Sequence, residues 1–383
     1  MINLYIINFL LAASTTIGMT IIPLLSVEVI GISLFLFALI EGVGEFSSNI
    51  IKLISGYLFD KLKNKKRLFF IAIILAFFSK LLLIIPNIYT LISTKFLERL
   101  SNGFFASPRD AFVGVMSGHK KGMSLGILNS SRALGCVFGS IVTSFYLSKE
   151  LSFALIANLI IFATFLCFIS FVLSCLMKDF TKKIIKKETA KYSSIELIKD
   201  NYELYIIIFL FFCARFNDGL IILFLKQNSI EPWFYLSAIG IFNSISFLIA
   251  PFLGMILDSK HKKIAVYITF FSLVIFNTIF IFCKTLDLKM AFLALFFWGI
   301  QRVGSQVCFT KLLFNNVSKE KYGTACGVMN LFVGLGSFIA ALIGGYLVSY
   351  NFSYVFIFSL LLTSMSLLFF YKKYRFINDS KHF

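Results

Sequence analysis

Charge is scarce in this chain. Of its 383 residues only 14% are Asp, Glu, Lys or Arg, where ordinary soluble domains carry roughly a quarter. That polar content cannot cover the surface of a water-soluble protein of this length, so a soluble enzyme is excluded. Acidic residues are scarcer still: 18 Asp and Glu stand against 36 Lys and Arg, a formal charge of +18. The three His (His119, His261 and His382) lie in polar connections or the tail, which excludes a histidine relay inside a membrane. Seven Cys are present with no C-x-x-C pair, so no redox or zinc motif is offered; set in apolar runs, they read as small buried hydrophobes. The phosphate-binding pattern G-x-x-x-x-G-K-S/T is absent, leaving ATP hydrolysis by this chain without support. With no nucleophile–base constellation either, neither catalysis nor a cofactor is expected. No basic stretch precedes the first apolar run, so a cleavable signal peptide is not expected.

What the chain has in abundance is apolar sequence, 59% hydrophobic with 49 Phe. It separates into twelve runs, approximately 4–25, 30–59, 68–86, 88–107, 122–147, 153–177, 204–226, 234–257, 264–284, 288–313, 322–349 and 352–371. Each approaches or exceeds the roughly 20 residues that cross a hydrocarbon core. They are too long and continuous for barrel strands. The expected fold class is therefore an all-α polytopic membrane protein with twelve transmembrane helices.

The basic residues report how those helices are threaded. The even-numbered connections and the tail hold 24 Lys and Arg, the odd-numbered ones four, and the spans the remaining eight. By the positive-inside rule the even connections and both termini face the cytoplasm. The +18 charge is thus an orientation signal and no invitation to nucleic acid. The longest connection predicts a division into a first six-helix bundle (1–177), a basic cytoplasmic linker (178–203) and a second bundle with a short tail (204–383). The Lys182–Lys187 run in that linker either lies along anionic headgroups or serves as a solvated tether. Abundant Lys, Ile, Asn and Phe point to an AT-rich bacterial genome, hence the cytoplasmic (inner) membrane, and a monomer is expected.

The halves echo each other at an offset near 200 residues. Gly56-x-x-x-Asp60 after the second span recurs as Gly254-x-x-x-Asp258 after the eighth. Gly122/Gly323, Gly126/Gly327, Asn129/Asn330 and Gly135/Gly336 share one offset, and Arg99 has a counterpart in Arg302. An ordered set of matches argues for a duplicated six-helix unit, the architecture of two-bundle secondary transporters with a site near mid-membrane.

The stretch Gly56-Tyr57-Leu58-Phe59-Asp60-Lys61 through Arg67 resembles the cytoplasmic loop motif of the major facilitator superfamily, G-x-x-x-D-R/K-x-G-R-R/K, with Asn64 in place of its second Gly. Arg99-x-x-x-Gly103 resembles that superfamily's Arg/Gly motif, implicated there in proton coupling. Ser107-Pro108-Arg109-Asp110-Ala111, with Leu39-Ile40-Glu41-Gly42 and Glu45, is similar to one bacterial and archaeal branch of facilitators. In span one Thr15 and Met19 stand where that branch has acids, and Arg132 stands near an expected acid. The resemblance implies two six-helix pseudo-repeats rocking about a central site, with Gly56, Asp60, Arg67, Gly254 and Asp258 forming a cytoplasmic gate. Gly135-x-x-x-Gly139 partly resembles the Gly-rich motif of exporters; close packing through small residues explains it equally well.

Charges inside the spans are the candidate site. Each costs roughly 2.5–3.5 kcal/mol in lipid, so they line water or pair. The acids are Glu41, Glu45, Glu98 and Asp218, the bases Lys52, Lys80, Lys95, Arg99, Arg132, Arg215, Arg302 and Lys311. Glu41, Glu45 and Lys52 share one helical face; Glu98 adjoins Arg99, and Arg215 lies three residues before Asp218. These pairs are the candidates for proton coupling. Lys52, Lys80 and Lys311 are close enough to span ends to snorkel. The excess of mid-span Arg (Arg132, Arg215 and Arg302, beside Trp298) points to an anionic substrate, carboxylate-rich or siderophore-like, because Arg grips carboxylate and phosphate bidentately. Structural ion pairing of each Arg is the alternative. Phe residues at helical spacing read as lipid contacts. Two further functions stay open: efflux of lipophilic drugs, and a non-transporting sensor or scaffold on the same fold.

Overall fold

A computed structural model describes residues 2–24, 34–62, 64–85, 87–118, 120–147, 153–176, 194–216, 218, 221, 224–225, 228, 230–282, 287–348 and 350–376. Its secondary structure is helical throughout the described residues. The helices are α1 (Ile2–Leu24), α2 (Leu34–Lys61), α3 (Lys66–Leu82), α4 (Ile88–Met116), α5 (Lys121–Leu147), α6 (Phe153–Cys175), α7 (Ser194–Asp200), α8 (Tyr202–Ala214), α9 (Pro232–Asp258), α10 (Lys262–Phe282), α11 (Leu288–Asn316), α12 (Tyr322–Val348) and α13 (Phe352–Phe376). Helix is the outcome physics demands, because a backbone in hydrocarbon must bond within its own segment. Eight of these stretches are long and apolar enough to cross a membrane. Charges inside α2 and α4, the shorter α3, and a break after α8 account for the other four spans.

Twelve spans result: α1–α6, then α8 with the helical residues between 218 and 225, then α9–α13. Helix α7 falls within the expected linker, whose residues 178–193 lie outside the described ones.

The two halves pack by one plan. In the first, α1 lies on α5 and α6, α4 on α2 and α3, and α3 on α6. In the second, α8 lies on α12 and α13, α11 on α9 and α10, and α10 on α13. Every contact of the first set has its counterpart in the second. Even the helix caps repeat: the Asn87 side chain accepts from Thr90 N (2.8 Å) to start α4, and Asp287 accepts from Met290 N (2.9 Å) to start α11. Both oxygens satisfy a backbone N–H that a helix start leaves orphaned.

The halves meet mainly at two crossings, α2 on α12 and α5 on α9. Glycine makes each possible. A Cβ on Gly56 would collide with the Gly323 carbonyl, and one on Gly254 with the Gly122 carbonyl. Gly135 and Gly139 instead seat the carbonyls of Phe9 and Ala13 of α1, so in this chain that pair is a packing device.

The aromatic load differs from the expectation of lipid contact. Phe211, Phe270, Phe276 and Phe309 are under 2% exposed, and the Phe211 ring meets Phe270 and Phe309 edge-on at 5.2 and 5.3 Å. Much of the Phe content fills the interior of the second half.

Overpacking costs roughly 1–3 kcal/mol, so Gly56→Ala is expected to prise α2 from α12. Cys326, buried one turn into α12, reports this: with the other Cys replaced by Ser, its maleimide labelling is expected to quicken by about fivefold or more. Gly345→Ala, where nothing lies within 4 Å of the added carbon, is expected to leave the rate unchanged.

Candidate functional site

The seventh span supplies the geometry on which the site turns. Helix α8 ends at Ala214, and Arg215 adopts an extended backbone (φ −92°, ψ 100°) before helix resumes at Asp218. A helix interrupted at mid-membrane is tolerated where it lines a cavity, and such breaks mark sites in secondary transporters. The break also removes the expected Arg215–Asp218 ion pair. A pairing three residues apart presupposes an unbroken helix, and here Asp218 takes other partners. Its carboxylate is ion-paired with Arg302 of α11 and accepts the Trp298 indole N–H at 3.0 Å.

Trp298 corrects a second expectation. It is fully buried and stacks on Phe216 with centroids 5.4 Å apart, so its surface goes to protein contacts and its N–H to Asp218. Arg215 lies over the rings of Phe212 and Trp298, 5.5 and 5.8 Å from their centroids.

The first half has an equivalent arrangement. Arg99 of α4 is ion-paired with Glu45 of α2. Glu98, its sequence neighbour, points elsewhere, since adjacent helical residues do not face each other. It pairs at 2.8 Å with Lys80 of α3, so the expected Glu98/Arg99 partnership does not form. Lys80 and Glu98 keep only 2% and 11% of their side-chain surface exposed, whereas Arg99, Glu45, Arg302 and Asp218 keep 15–40%. The former are packed in protein; the latter keep part of their side-chain surface accessible. Lys80 does not snorkel, and neither do the others: Lys52 donates to Asn49 Oδ1 (2.9 Å) and Lys311 pairs with Asp258 (2.9 Å). The Glu41 side chain lies outside the described residues.

Arg132 of α5 and Arg215 lie within electrostatic reach of these pairs. Arg215 interacts electrostatically with Arg302, Asp218, Glu45 and Arg132, and Arg132 with Arg302, Arg109 and Asp110. Neither guanidinium has a hydrogen-bonded or ion-paired acceptor among the described residues. A network not foreseen from sequence lies beside them: Arg109 donates to Asn8 Oδ1 of α1 (2.8 Å) and to Asp110 (2.9 Å).

The basic face holds two latches. Asp60, in the last turn of α2, accepts from Gly323 N (2.9 Å), Thr324 N (2.6 Å) and Thr324 Oγ1 (2.7 Å) at the start of α12. Asp258, ending α9, accepts from Gly122 N (2.9 Å) and Met123 N (2.8 Å) at the start of α5. Each carboxylate satisfies the orphan donors of a helix N-terminus in the opposite half, where the macrodipole favours negative charge. Arg67 is exposed and sends no side-chain bond to Asp60 among the described residues.

A family model described as Major Facilitator Superfamily matches residues 4–341. The chain belongs to that superfamily. This facilitator is 27% identical over 364 residues, 90% of its own length and 88% of the relative's, to an uncharacterized MFS-type transporter of Methanocaldococcus jannaschii. Its fold is similar to that of the E. coli fucose:proton symporter FucP (TM-score 0.72, 15% identity, 96% of each chain). The human organic anion transporter MFSD10 is also similar (TM-score 0.66, 12% identity, 96% of this chain and 97% of that one). The facilitator is therefore an integral membrane protein with the twelve-span, two-repeat fold expected from sequence.

Two predictions rest on this geometry. Removing one partner of a buried ion pair costs about 3–5 kcal/mol, so Glu98→Gln is expected to lower the melting temperature markedly, and the Lys80→Met/Glu98→Leu double variant to recover most of the loss. At the latch, burial pushes the Asp60 carboxyl up to about 6, against the opposing pull of Thr324, Gly323 and Lys65. Parted from α12, the carboxyl returns to water and its ordinary value of 3.8. The closed latch therefore binds the proton more tightly: acidification through about 6 favours closure, and rising pH through that value removes the contribution. Spin labels at exposed positions 61 and 319 are expected to report a shorter-distance population that grows from about pH 7.5 to about pH 5, a response flattened by Asp60→Asn.

Proposed function

We propose that this facilitator is a proton-coupled secondary transporter that moves a small organic anion, such as a carboxylate-rich or siderophore-like compound, across the bacterial cytoplasmic membrane by alternating access. One observation carries the reading: where the halves meet, four guanidiniums (Arg99, Arg132, Arg215 and Arg302) face two described carboxylates, Glu45 and Asp218. Such a surplus favours an anionic ligand, and disfavours efflux of lipophilic cations. Two latches reaching from one half to the other serve a moving gate better than a static scaffold.

The positive-inside pattern supports a basic face and both termini in the cytoplasm. Gly56 with Asp60, and Gly254 with Asp258, then form the inner gate, closed in this conformation, while the bundles 1–177 and 204–383 are the rocking bodies of a monomer. Coupling falls to Asp218 and Glu45. Each carboxylate lies beside an Arg of its own half, and loss of the water around it as the site closes in another conformation would raise its proton affinity. Glu98, packed against Lys80, is left a structural part.

The test is transport in proteoliposomes. With an imposed pH gradient, accumulation of an anion found to stabilise the protein is expected to be lost in Asp218→Asn, while exchange of that anion across the membrane persists. Unchanged proton-driven accumulation in both Asp218→Asn and Glu45→Gln would overturn the coupling role. A cationic competitor outperforming anionic ones would overturn the substrate class.

A further inference from the structure

The way the central charges are shared narrows the substrate beyond "anion", and this step rests on the transport reading above. Arg99 belongs to Glu45, and Arg302 to Asp218. Both pairs lie within one half: Glu45 and Arg99 on α2 and α4, Asp218 and Arg302 on the seventh span and α11. Rigid motion of one half against the other leaves both pairs intact, so these two arginines keep their counter-charges through a transport cycle. What remains is one guanidinium from each half. Arg132 comes from α5 of the first, Arg215 from the break in the seventh span of the second. Helix α5 packs against α11, Arg302 of α11 lies within electrostatic reach of both arginines, and neither has a hydrogen-bonded or ion-paired acceptor among the described residues. The rings of Phe212 and Trp298 flank Arg215. Contact with a ring face orients a guanidinium and leaves its N–H edges open to an acceptor.

We propose that Arg132 and Arg215 form a clamp for an organic dianion, two carboxylates or a phosphate monoester, whose two negative charges are answered one by each half. A monoanion neutralises one arginine and leaves the other charged and unpartnered in a desolvating interface. A dianion completes both and ties the halves together. Arg302, Trp298 and Asp218 then act as a mount for the second half's side of the clamp rather than as ligand contacts. The extended backbone at Arg215 has a purpose in this arrangement: it turns the side chain out of the helical register that would have handed it to Asp218.

The experiment uses the purified full-length chain and charge-matched probes: succinate and glycerol phosphate as dianions, butyrate and the monomethyl ester of succinate as monoanions. Thermal stabilisation against concentration measures apparent affinity. The dianions are expected to bind at least about tenfold more tightly than the monoanions. Arg132→Gln and Arg215→Gln are each expected to erase that preference, bringing succinate to the level of its monoester. Should either Gln variant melt early without ligand, Arg132→Lys and Arg215→Lys keep the charge while losing the fork, and are expected to reduce the preference in part. Monoanions binding as well as dianions, with binding still lost in the Gln variants, would overturn the clamp and leave the anion reading standing. No stabilisation by any of the four probes, or a preference that survives both Gln variants, would overturn the assignment of these two arginines. Stabilisation by cationic compounds alone would overturn the transport reading as well.

Discussion

A charge inside hydrocarbon must find a partner or water, and most of this molecule's particular features follow from that constraint. It pairs Lys80 with Glu98 inside the first half, Arg99 with Glu45 between α2 and α4, and Arg302 with Asp218 across the second half. It also places the Trp298 N–H on Asp218. Each of these decisions uses up an acid. With few acids to distribute, the arrangement ends in a surplus of positive charge among the described residues at Arg132 and Arg215, one from each half. Where the surplus sits is thus a consequence of how the other charges were satisfied.

Much of the fold was legible from patterns that survive without tertiary knowledge. Twelve apolar runs and the asymmetry of Lys and Arg need only a bilayer to be interpreted. The glycine positions repeated at a fixed offset were informative for the same reason: Gly122 and Gly323 start α5 and α12, and there the backbones of the two halves touch. Asp60 and Asp258 likewise lie where the repeated motif put them, each on a helix start of the other half.

The partners of the buried charges were not legible. Helical spacing relates residues on one helix, whereas Lys80–Glu98, Arg302–Asp218 and Lys311–Asp258 join different helices. The break at Arg215 does leave a trace in the sequence, Asn217 and Gly219 on either side of Asp218, but inside a long apolar run the spacing to Asp218 reads as unbroken helix and misleads. Phenylalanine is ambiguous for another reason. A side chain suited to lipid is equally suited to a core, and only the fold tells the two apart: Phe165 and Phe252 are exposed on the outside of their helices, whereas Phe211 and Phe276 belong to the interior.

The glycine crossings have a mechanical consequence. Inside a bilayer two helices gain little from hiding apolar surface from each other, since lipid tails are as oily as Leu; adhesion depends on packing and polar bonds. At α2–α12 and α5–α9 the glycines set backbone carbonyls against bare α-carbons, where few side-chain atoms interlock. Such a joint resembles a bearing more than a weld. Bare faces of this kind favour parting with little side-chain rearrangement, and much of the polar hold lies in the two aspartates at the rim, with the Ser130 hydroxyl on the Phe247 carbonyl (2.7 Å) deeper in.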